Sequence, residues 1–470
     1  MAASHVLTKL PPLSYFKIPP NSEPALLPLP QPGSLAYNHP FHISDQFYAA
    51  ALDIRVPLTI AAVYAVTAKL LNRYNKSTGN RPWAISKTRG FFAFVVAHNV
   101  FLAVYSAWTW IGMVGMLSRV LASPFANTGN PSTGGWASTV DSICRMSGAP
   151  GLGNGLVYDE RAGLWTTQSS PALPEFAVTP DRNQPGRMWN EGLAFYGWLF
   201  YLSKFYEVLD TFIILAKGKY SSTLQTYHHA GAMMCMWAGM RYMSSPIWMF
   251  VFMNSFIHTL MYSYFTFTAF SVRVPTKVKR SLTSAQITQF LVGASIAMSH
   301  SFIGYTVPST SDSAPGAANS TSPSGGQAPA LKAMSCIATS SETFAIWLNV
   351  LYLAPLTYLF VKFFITSYLR RSNAESARGK TGANGSAETK ARKLVAPPAN
   401  GPASLAATIA NTEEEVRRRL SNVGNLAEKA GWDAAVGLEK EVYGVSAEAV
   451  ETNASPKAAA PKKVKGKHSK

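Results

Sequence analysis

Residues Gly90 to Ser118 read Gly-Phe-Phe-Ala-Phe-Val-Val-Ala-His-Asn-Val-Phe-Leu-Ala-Val-Tyr-Ser-Ala-Trp-Thr-Trp-Ile-Gly-Met-Val-Gly-Met-Leu-Ser, with no charged side chain between Arg89 and Arg119. A helix needs about 20 apolar residues to cross a hydrocarbon core, so this stretch alone reads as a membrane span. The pattern recurs. No charge falls between Lys219 and Arg241, between Arg241 and Arg273, or between Arg280 and Asp312. Thr343 to Val361 is another apolar run, continuing past Lys362 to Ile365, and Leu193 to Leu215 is apolar except for Lys204, Glu207 and Asp210. Val56 to Leu71 is the weakest, with Asp53, Arg55 and Lys69 crowding its ends, where long basic side chains can reach the interface. The reading is an all-α membrane protein with seven transmembrane helices in residues 46–367.

Composition agrees. The 470 residues are 47% hydrophobic and only 14% charged, against about a quarter charged in soluble proteins; this argues against a soluble enzyme and against a disordered chain. Lys and Arg number 42 against 24 Asp and Glu, a net +18. Arg73, Lys76, Arg81, Lys87 and Arg89 follow the first span, Lys217 and Lys219 the third, and Arg273, Lys277, Lys279 and Arg280 the fifth. The connections on the other side, about 120–188 and 307–341, are long and nearly neutral, with a short turn at Arg241. Basic loops face the cytosol, so the amino terminus is expected in the lumen and the carboxyl terminus in the cytosol. The positive charge is then a topology signal and a membrane-surface feature, with no nucleic-acid partner expected.

The ends and loops carry further expectations. Residues 1–45 are Pro-rich and lack a signal-peptide pattern, and 368–470 read as a basic, largely disordered cytosolic tail, with Thr412–Leu420 as a short helix at most. Three cysteines exclude a disulfide scaffold. Cys144 and Cys336 fall on the two lumenal loops, an oxidising space, where they either pair or stay as free thiols. Asn319-Ser-Thr on the same side is a glycosylation sequon.

Polar residues inside a membrane are costly, about 2.5–3.5 kcal/mol for a charge at mid-helix, and therefore informative. In the third span Lys204, Glu207 and Asp210 are spaced i, i+3, i+6, which places them along one side of a helix. The fourth opens with Gln225-Thr-Tyr-His228-His229, the fifth carries Asn254, His258 and Tyr262 at i, i+4, i+8, and the sixth carries Thr283, Gln286 and Gln289 at i, i+3, i+6. One such stripe reads as an interhelical hydrogen-bonding seam. Four in succession, all toward the basic ends of their spans, read as the lining of one polar cavity opening to the cytosol, with an apolar blind end. That shape suits an amphiphile with an anionic head, for which Lys217, Lys219, Arg273, Lys277, Lys279 and Arg280 are candidate contacts.

Taken together, Lys204-Phe-Tyr-Glu207-Val-Leu-Asp210-Thr211, Gln225-Thr-Tyr-His228-His229, Asn254-Ser-Phe-Ile-His258-Thr-Leu-Met261-Tyr262-Ser-Tyr264 and Thr283-Ser-Ala-Gln286-Ile-Thr-Gln289 resemble the ELO family of very-long-chain fatty acid elongases, membrane 3-ketoacyl-CoA synthases. The resemblance covers about residues 50–367 outside the two long loops. It implies that six of the seven helices enclose a narrow acyl-chain tunnel in the endoplasmic reticulum membrane. The implied reaction condenses a long-chain acyl-CoA with malonyl-CoA, releasing CO2 and CoA, with no bound cofactor or metal. It further implies His228 as a nucleophile forming an acyl-imidazole and His258 as the group that moves a proton or stabilises the enolate, with Asp210 or Glu207 orienting a histidine. His229, Gln225, Asn254, Tyr262, Gln286 and Gln289 would hold the substrate or this network, and Lys204 a CoA or carboxylate group. A homodimer and contacts with the ketoacyl-CoA reductase, dehydratase and enoyl-CoA reductase of the cycle are further implied partners. The family's histidine box usually reads His-x-x-His-His; here its first position is Gln225, which bears on substrate class.

Two other readings compete. A membrane di-iron desaturase or hydroxylase also carries histidine boxes but needs about eight ligating imidazoles, and only His98, His228, His229, His258 and His300 are associated with spans. A seven-helix transporter or receptor would need no paired cytosol-facing histidines. Cys235, the residue type that soluble ketosynthases use as nucleophile, reads as a core cysteine.

Overall fold

The computed structural model describes residues 5–20, 26–31, 38–125, 135–167, 178–308 and 331–369. The Asn319 sequon and the tail beyond residue 369 lie outside them.

Each apolar segment folds as helix, and capping chemistry sets the starts. Helix α1 (Asp45–Ala51) begins after Ser44, whose hydroxyl accepts from the Phe47 N–H at 3.3 Å, and leads through a 46° bend into α2 (Arg55–Ser77). Helix α3 (Arg89–Val120) is capped by Thr88, which accepts from the Phe91 N–H at 3.1 Å. After a short α4 (Trp136–Cys144), the third apolar segment enters as a π-helical stretch, Trp189–Gly197, and continues as α5 (Trp198–Tyr206) and α6 (Val208–Ala216). Ser222 caps α7 (Thr223–Arg241), and prolines immediately precede α8 (Ile247–Ala269) and α9 (Thr276–His300), where a missing N–H costs nothing. A full capping box, Thr339 with Glu342, starts α10 (Ser340–Phe364).

Among the described residues, α3 and α10 are each long and apolar enough to cross a membrane, and the bent pair α1–α2 makes a third if it counts as one span. The outer surfaces agree. Phe92, Phe101, Val104 and Ile111 on α3, Leu58, Val63 and Val66 on α2, Leu291 and Ile296 on α9, and Leu351 and Tyr358 on α10 are all exposed. Apolar exposure on this scale marks a surface that faces something other than water.

The helices pack in a closed order. α3 lies along α8, α8 on α9, α9 on α10, α10 on α7, α7 on α5, and α5 with its π-helical entry returns to α3, while α2 packs outside on α7 and α6. A close approach fixes one of these seams: a Cβ on Gly112 of α3 would stand 2.3 Å from the Tyr196 ring.

Two features depart from the sequence reading. The third span is not one continuous helix: it breaks at Glu207 between α5 and α6. No proline or glycine stands at the break. The ladder tightens there for one turn: the Glu207 N–H still donates to the Ser203 carbonyl (2.9 Å), and the Glu207 carbonyl accepts from the Asp210 N–H, three residues on (3.0 Å). The loops are also not all-α. Strands β1 (Val6–Thr8), β4 (Ile303–Pro308) and β5 (Leu331–Ser335) form an antiparallel sheet in the order β1-β4-β5, and β2 (Leu156–Asp159) pairs with β3 (Leu164–Thr167).

A disulfide joins Cys144, at the end of α4, to Cys336, just after β5. Beside it a buried polar knot ties the same elements. Arg145 donates to the Tyr305 hydroxyl (2.9 Å) and to the Cys336 carbonyl (3.2 Å), Tyr305 donates to Asp141 (2.8 Å), and Arg187 pairs with Asp141 at 2.7 Å. With its phenol buried and beside Asp141, Tyr305 holds its proton well above the usual range. The disulfide closes a sequence separation of 192 residues, so its loss frees a long loop in the unfolded chain. Cys336→Ser is expected to cost about 2–5 kcal/mol, read as a lowered midpoint of thermal unfolding in detergent. A midpoint unchanged by this substitution and by reductant would show that the polar knot alone holds this end.

Candidate active site

A cavity of about 230 Å³ lies among the helices, reaching the basic connection between α6 and α7. Its lining draws on six helices: Val95 and Asn99 from α3, Asp210 and Ile213 from α6, and Gln225, His228 and His229 from α7. Asn254, His258 and Tyr262 come from α8, Gln286, Gln289 and Phe290 from α9, and Phe360 and Phe363 from α10, with Glu207 at the α5–α6 break. Lys217 and Lys219, on the connection between α6 and α7, also line it.

That basic connection is held rigidly. Asn75 of α2 donates to the Leu215 (2.9 Å) and Lys219 (3.1 Å) carbonyls and accepts from the Trp83 indole at 2.8 Å. Asn72 exchanges two hydrogen bonds of 2.8 Å with Ser221. The first two basic connections therefore share one end of the bundle, the end at which the cavity lies.

Two carboxylates organise the interior. Glu207 Oε1 accepts from Lys204 Nζ at 2.6 Å and stands 3.4 Å from His258 Nδ1; Lys204 and Glu207 are 3% and 2% exposed. Lys204 also donates to Asn254 Oδ1 at 3.3 Å, with its ammonium 3.9 Å from the centre of the Phe200 ring. Asp210 is bound on both oxygens, to His98 Nε2 at 2.7 Å and by the Tyr262 hydroxyl at 2.6 Å. Each carboxylate thus faces an imidazole: Asp210 bonds His98, the arrangement that fixes a histidine's orientation, while Glu207 stands near His258 Nδ1 without a hydrogen bond to it.

On α7, Gln225 donates to Thr211 Oγ1 at 3.1 Å, and that hydroxyl also bonds Tyr64 at 2.8 Å. At the first position of the histidine box, glutamine acts here as a strut to α6 and, through Thr211, to α2. His228 Nδ1 lies 3.0 Å from the Tyr352 hydroxyl of α10. The His228 and His229 rings are 5.4 Å apart, and His229 meets the Tyr64 ring edge-on at 6.1 Å. Gln286 lies 3.6 Å from the Met261 sulfur, and Gln289 Oε1 is buried without a hydrogen-bond partner among the described residues.

The structure brings His228, His229, His258, Glu207, Asp210, Gln225, Asn254, Tyr262, Gln286, Gln289 and Lys217 to one wall-to-wall site. It does not bring two others. Lys204 stands behind Glu207 and Phe200, outside the lining, and the Arg280 guanidinium lies 5.6 Å over the Phe364 ring, also outside it. Cys235 is buried with its thiol toward the Leu348 carbonyl at 3.9 Å, and it too is absent from the lining. Three residues to which the sequence reading gave no role in the site bond to its members: His98, Thr211 and Tyr352. Among the described residues, no three His, Cys, Asp or Glu side chains are grouped so as to hold a metal ion.

Fatty acid elongase sre1 of Dictyostelium discoideum is 36% identical over 105 residues, 22% of this chain and 38% of that protein. Long chain fatty acid elongase 1 of Caenorhabditis elegans is 24% identical over 182 residues (39% and 54%), and very long chain fatty acid elongase 4 of Mus musculus is 29% identical over 193 residues (40% and 50%). The chain spans about half the length of these relatives or less. No solved structure gives a significant match. A sequence profile of the GNS1/SUR4 family, ELO, matches residues 49–376, which includes every cavity-lining helix; the chain belongs to that family of membrane proteins.

Proposed function

We propose that this protein is a fatty acid elongase that condenses a long-chain acyl-CoA with malonyl-CoA to give a 3-ketoacyl-CoA, CoA and CO2. The observation that carries the reading is one cavity lined by His228 from α7 and His258 from α8, with Glu207 beside His258 and lysines at its edge. The elongase names of the relatives support it.

The chemistry follows from the residues. The lone pair on a neutral His228 ring nitrogen attacks the thioester carbonyl, the C–S bond breaks, and CoA leaves as a thiolate. Malonyl-CoA then loses CO2, and the electron pair of the broken C–C bond becomes an enolate, for which His258 is the nearby proton carrier or stabiliser. The enolate carbon attacks the acyl carbon, the C–N bond breaks, and His228 is restored. Asp210, held by His98 and Tyr262, and Glu207, held by Lys204, keep the two sides of the site in register.

In this reading seven helical segments cross the endoplasmic reticulum membrane, α2, α3, α5–α6 and α7 to α10, and the six other than α2 enclose an acyl-chain tunnel. The amino terminus is lumenal, so the disulfide-linked cap lies in the lumen and the cavity opens to the cytosol. Lys217 meets the CoA head, and the product passes to the reductases and dehydratase of the cycle. Purified protein given a panel of acyl-CoAs and labelled malonyl-CoA is expected to yield 3-ketoacyl-CoA two carbons longer than a substrate of the panel. Label that never enters a longer acyl chain, on any substrate, would remove the proposal.

A further inference from the structure

We propose that Tyr352 is a positioning residue that sets the tautomer of His228, holding the ring proton on Nδ1 so that Nε2 keeps its electron pair. This rests on the condensation reading above. The Tyr352 hydroxyl lies 2.9 Å from the backbone carbonyl oxygen of His228 and 3.0 Å from its Nδ1. A carbonyl oxygen can only accept, so the single phenolic proton is committed there. What faces Nδ1 is then an oxygen lone pair, and the contact is a hydrogen bond only if Nδ1 carries the proton. The opposite assignment would direct the proton to Nδ1 and leave two oxygens facing each other at 2.9 Å without one.

The tyrosine is built into its place. Its ring stacks on Tyr227 with centroids 5.4 Å apart, and the Tyr227 hydroxyl donates to the Tyr352 carbonyl at 3.2 Å. On α7 the facing residue is Gly231, where a Cβ would stand 2.2 Å from the Tyr352 ring; any side chain there would drive the ring away. Because the phenol bonds both the backbone and the ring of His228, it fixes the χ angles of the imidazole as well as its proton. During acyl transfer the Nε2 pair forms the C–N bond, the C–S bond breaks, and CoA departs as thiolate. The resulting acyl-imidazolium keeps its Nδ1 proton on the Tyr352 oxygen, which stabilises the positive charge.

The test is single-turnover formation of acyl-enzyme in the absence of malonyl-CoA, measured by intact mass on the full-length protein. Tyr352→Phe keeps the ring and its stacking and removes only the oxygen. Adduct formation is expected to slow by about 10- to 100-fold, the usual effect of losing a histidine's orienting partner, with the acyl-CoA Kd unchanged. An unchanged rate would overturn the proposal, and so would a slowing matched by an equal loss of acyl-CoA affinity. Replacement of Tyr352 by 3-fluorotyrosine preserves the fold independently of that variant. Fluorine weakens the oxygen as acceptor and strengthens the hydroxyl as donor, so a slower adduct is expected; an unchanged or faster one would reverse or remove the assignment. His228→Ala separates the two claims. If it is inactive while Tyr352→Phe is fully active, only the tyrosine's role fails; if it turns over like wild type, the underlying acyl-imidazole reading fails.

Discussion

His228→Ala is expected to lower condensation more than about 1,000-fold in kcat, the scale on which loss of a covalent nucleophile reads out. The fold should persist. His228 is half-buried, and its partners are the Tyr352 hydroxyl and the neighbouring His229 and Phe290 rings, none of which is a charge left stranded. A thermal midpoint close to wild type, measured on the same preparation as the product assay, distinguishes lost chemistry from lost structure. Product formation at the wild-type rate would move the nucleophile elsewhere, and His229 and His258 would be the next to substitute.

The second large effect concerns the buried pair. Glu207→Gln leaves the Lys204 ammonium buried with neutral acceptors only, an amide oxygen in place of the carboxylate it had at 2.6 Å and Asn254 Oδ1 at 3.3 Å. Breaking one side of a buried pair costs about 3–5 kcal/mol, because the survivor keeps its desolvation penalty without its counter-charge. Thermal unfolding in detergent should show a marked drop in midpoint. The double variant, Lys204→Met with Glu207→Gln, removes the stranded charge and should recover most of that stability. Activity should not return with it, because the Glu207 carboxylate also stands 3.4 Å from His258 Nδ1. A Glu207→Gln protein that melts like wild type would show that the pair does not hold the bundle. A fully active double variant would show that the carboxylate does nothing for His258.

Much of this was legible in the chain itself, for physical reasons. The charge-free intervals located the helices because a hydrocarbon environment tolerates so few charges that their absence is nearly a map. The stripes Asn254–His258–Tyr262 and Thr283–Gln286–Gln289 were readable because helix periodicity turns spacing into a face, and all but Thr283 line the cavity. Periodicity could not show the break at Glu207, which is a single turn of i to i+3 bonding inside an otherwise regular pattern. His98 and Tyr352 escaped for a different reason. Each belongs to a long apolar helix with no motif around it, and its partner lies 112 and 124 residues away respectively. Only packing reveals such pairs. Lys204 illustrates the converse: its spacing from Glu207 was plain, but the turn of the chain puts its ammonium behind the carboxylate and over Phe200, where it serves the scaffold and not the cavity wall. The small sheets of the loops went unread because their strands, β4 and β5 among them, are short and gain their order from pairing across the chain.

The central claim is that an imidazole on α7, in a cavity shared by six helices, carries the acyl group between thioester and enolate. It is tested most directly by incubating the purified protein with a labelled acyl-CoA, withholding malonyl-CoA, and mapping the label by peptide mass. One acyl group per chain is expected on His228, discharged as 3-ketoacyl-CoA when malonyl-CoA is added. Label found on Cys235, or no adduct within a single turnover while the product still forms, would contradict it.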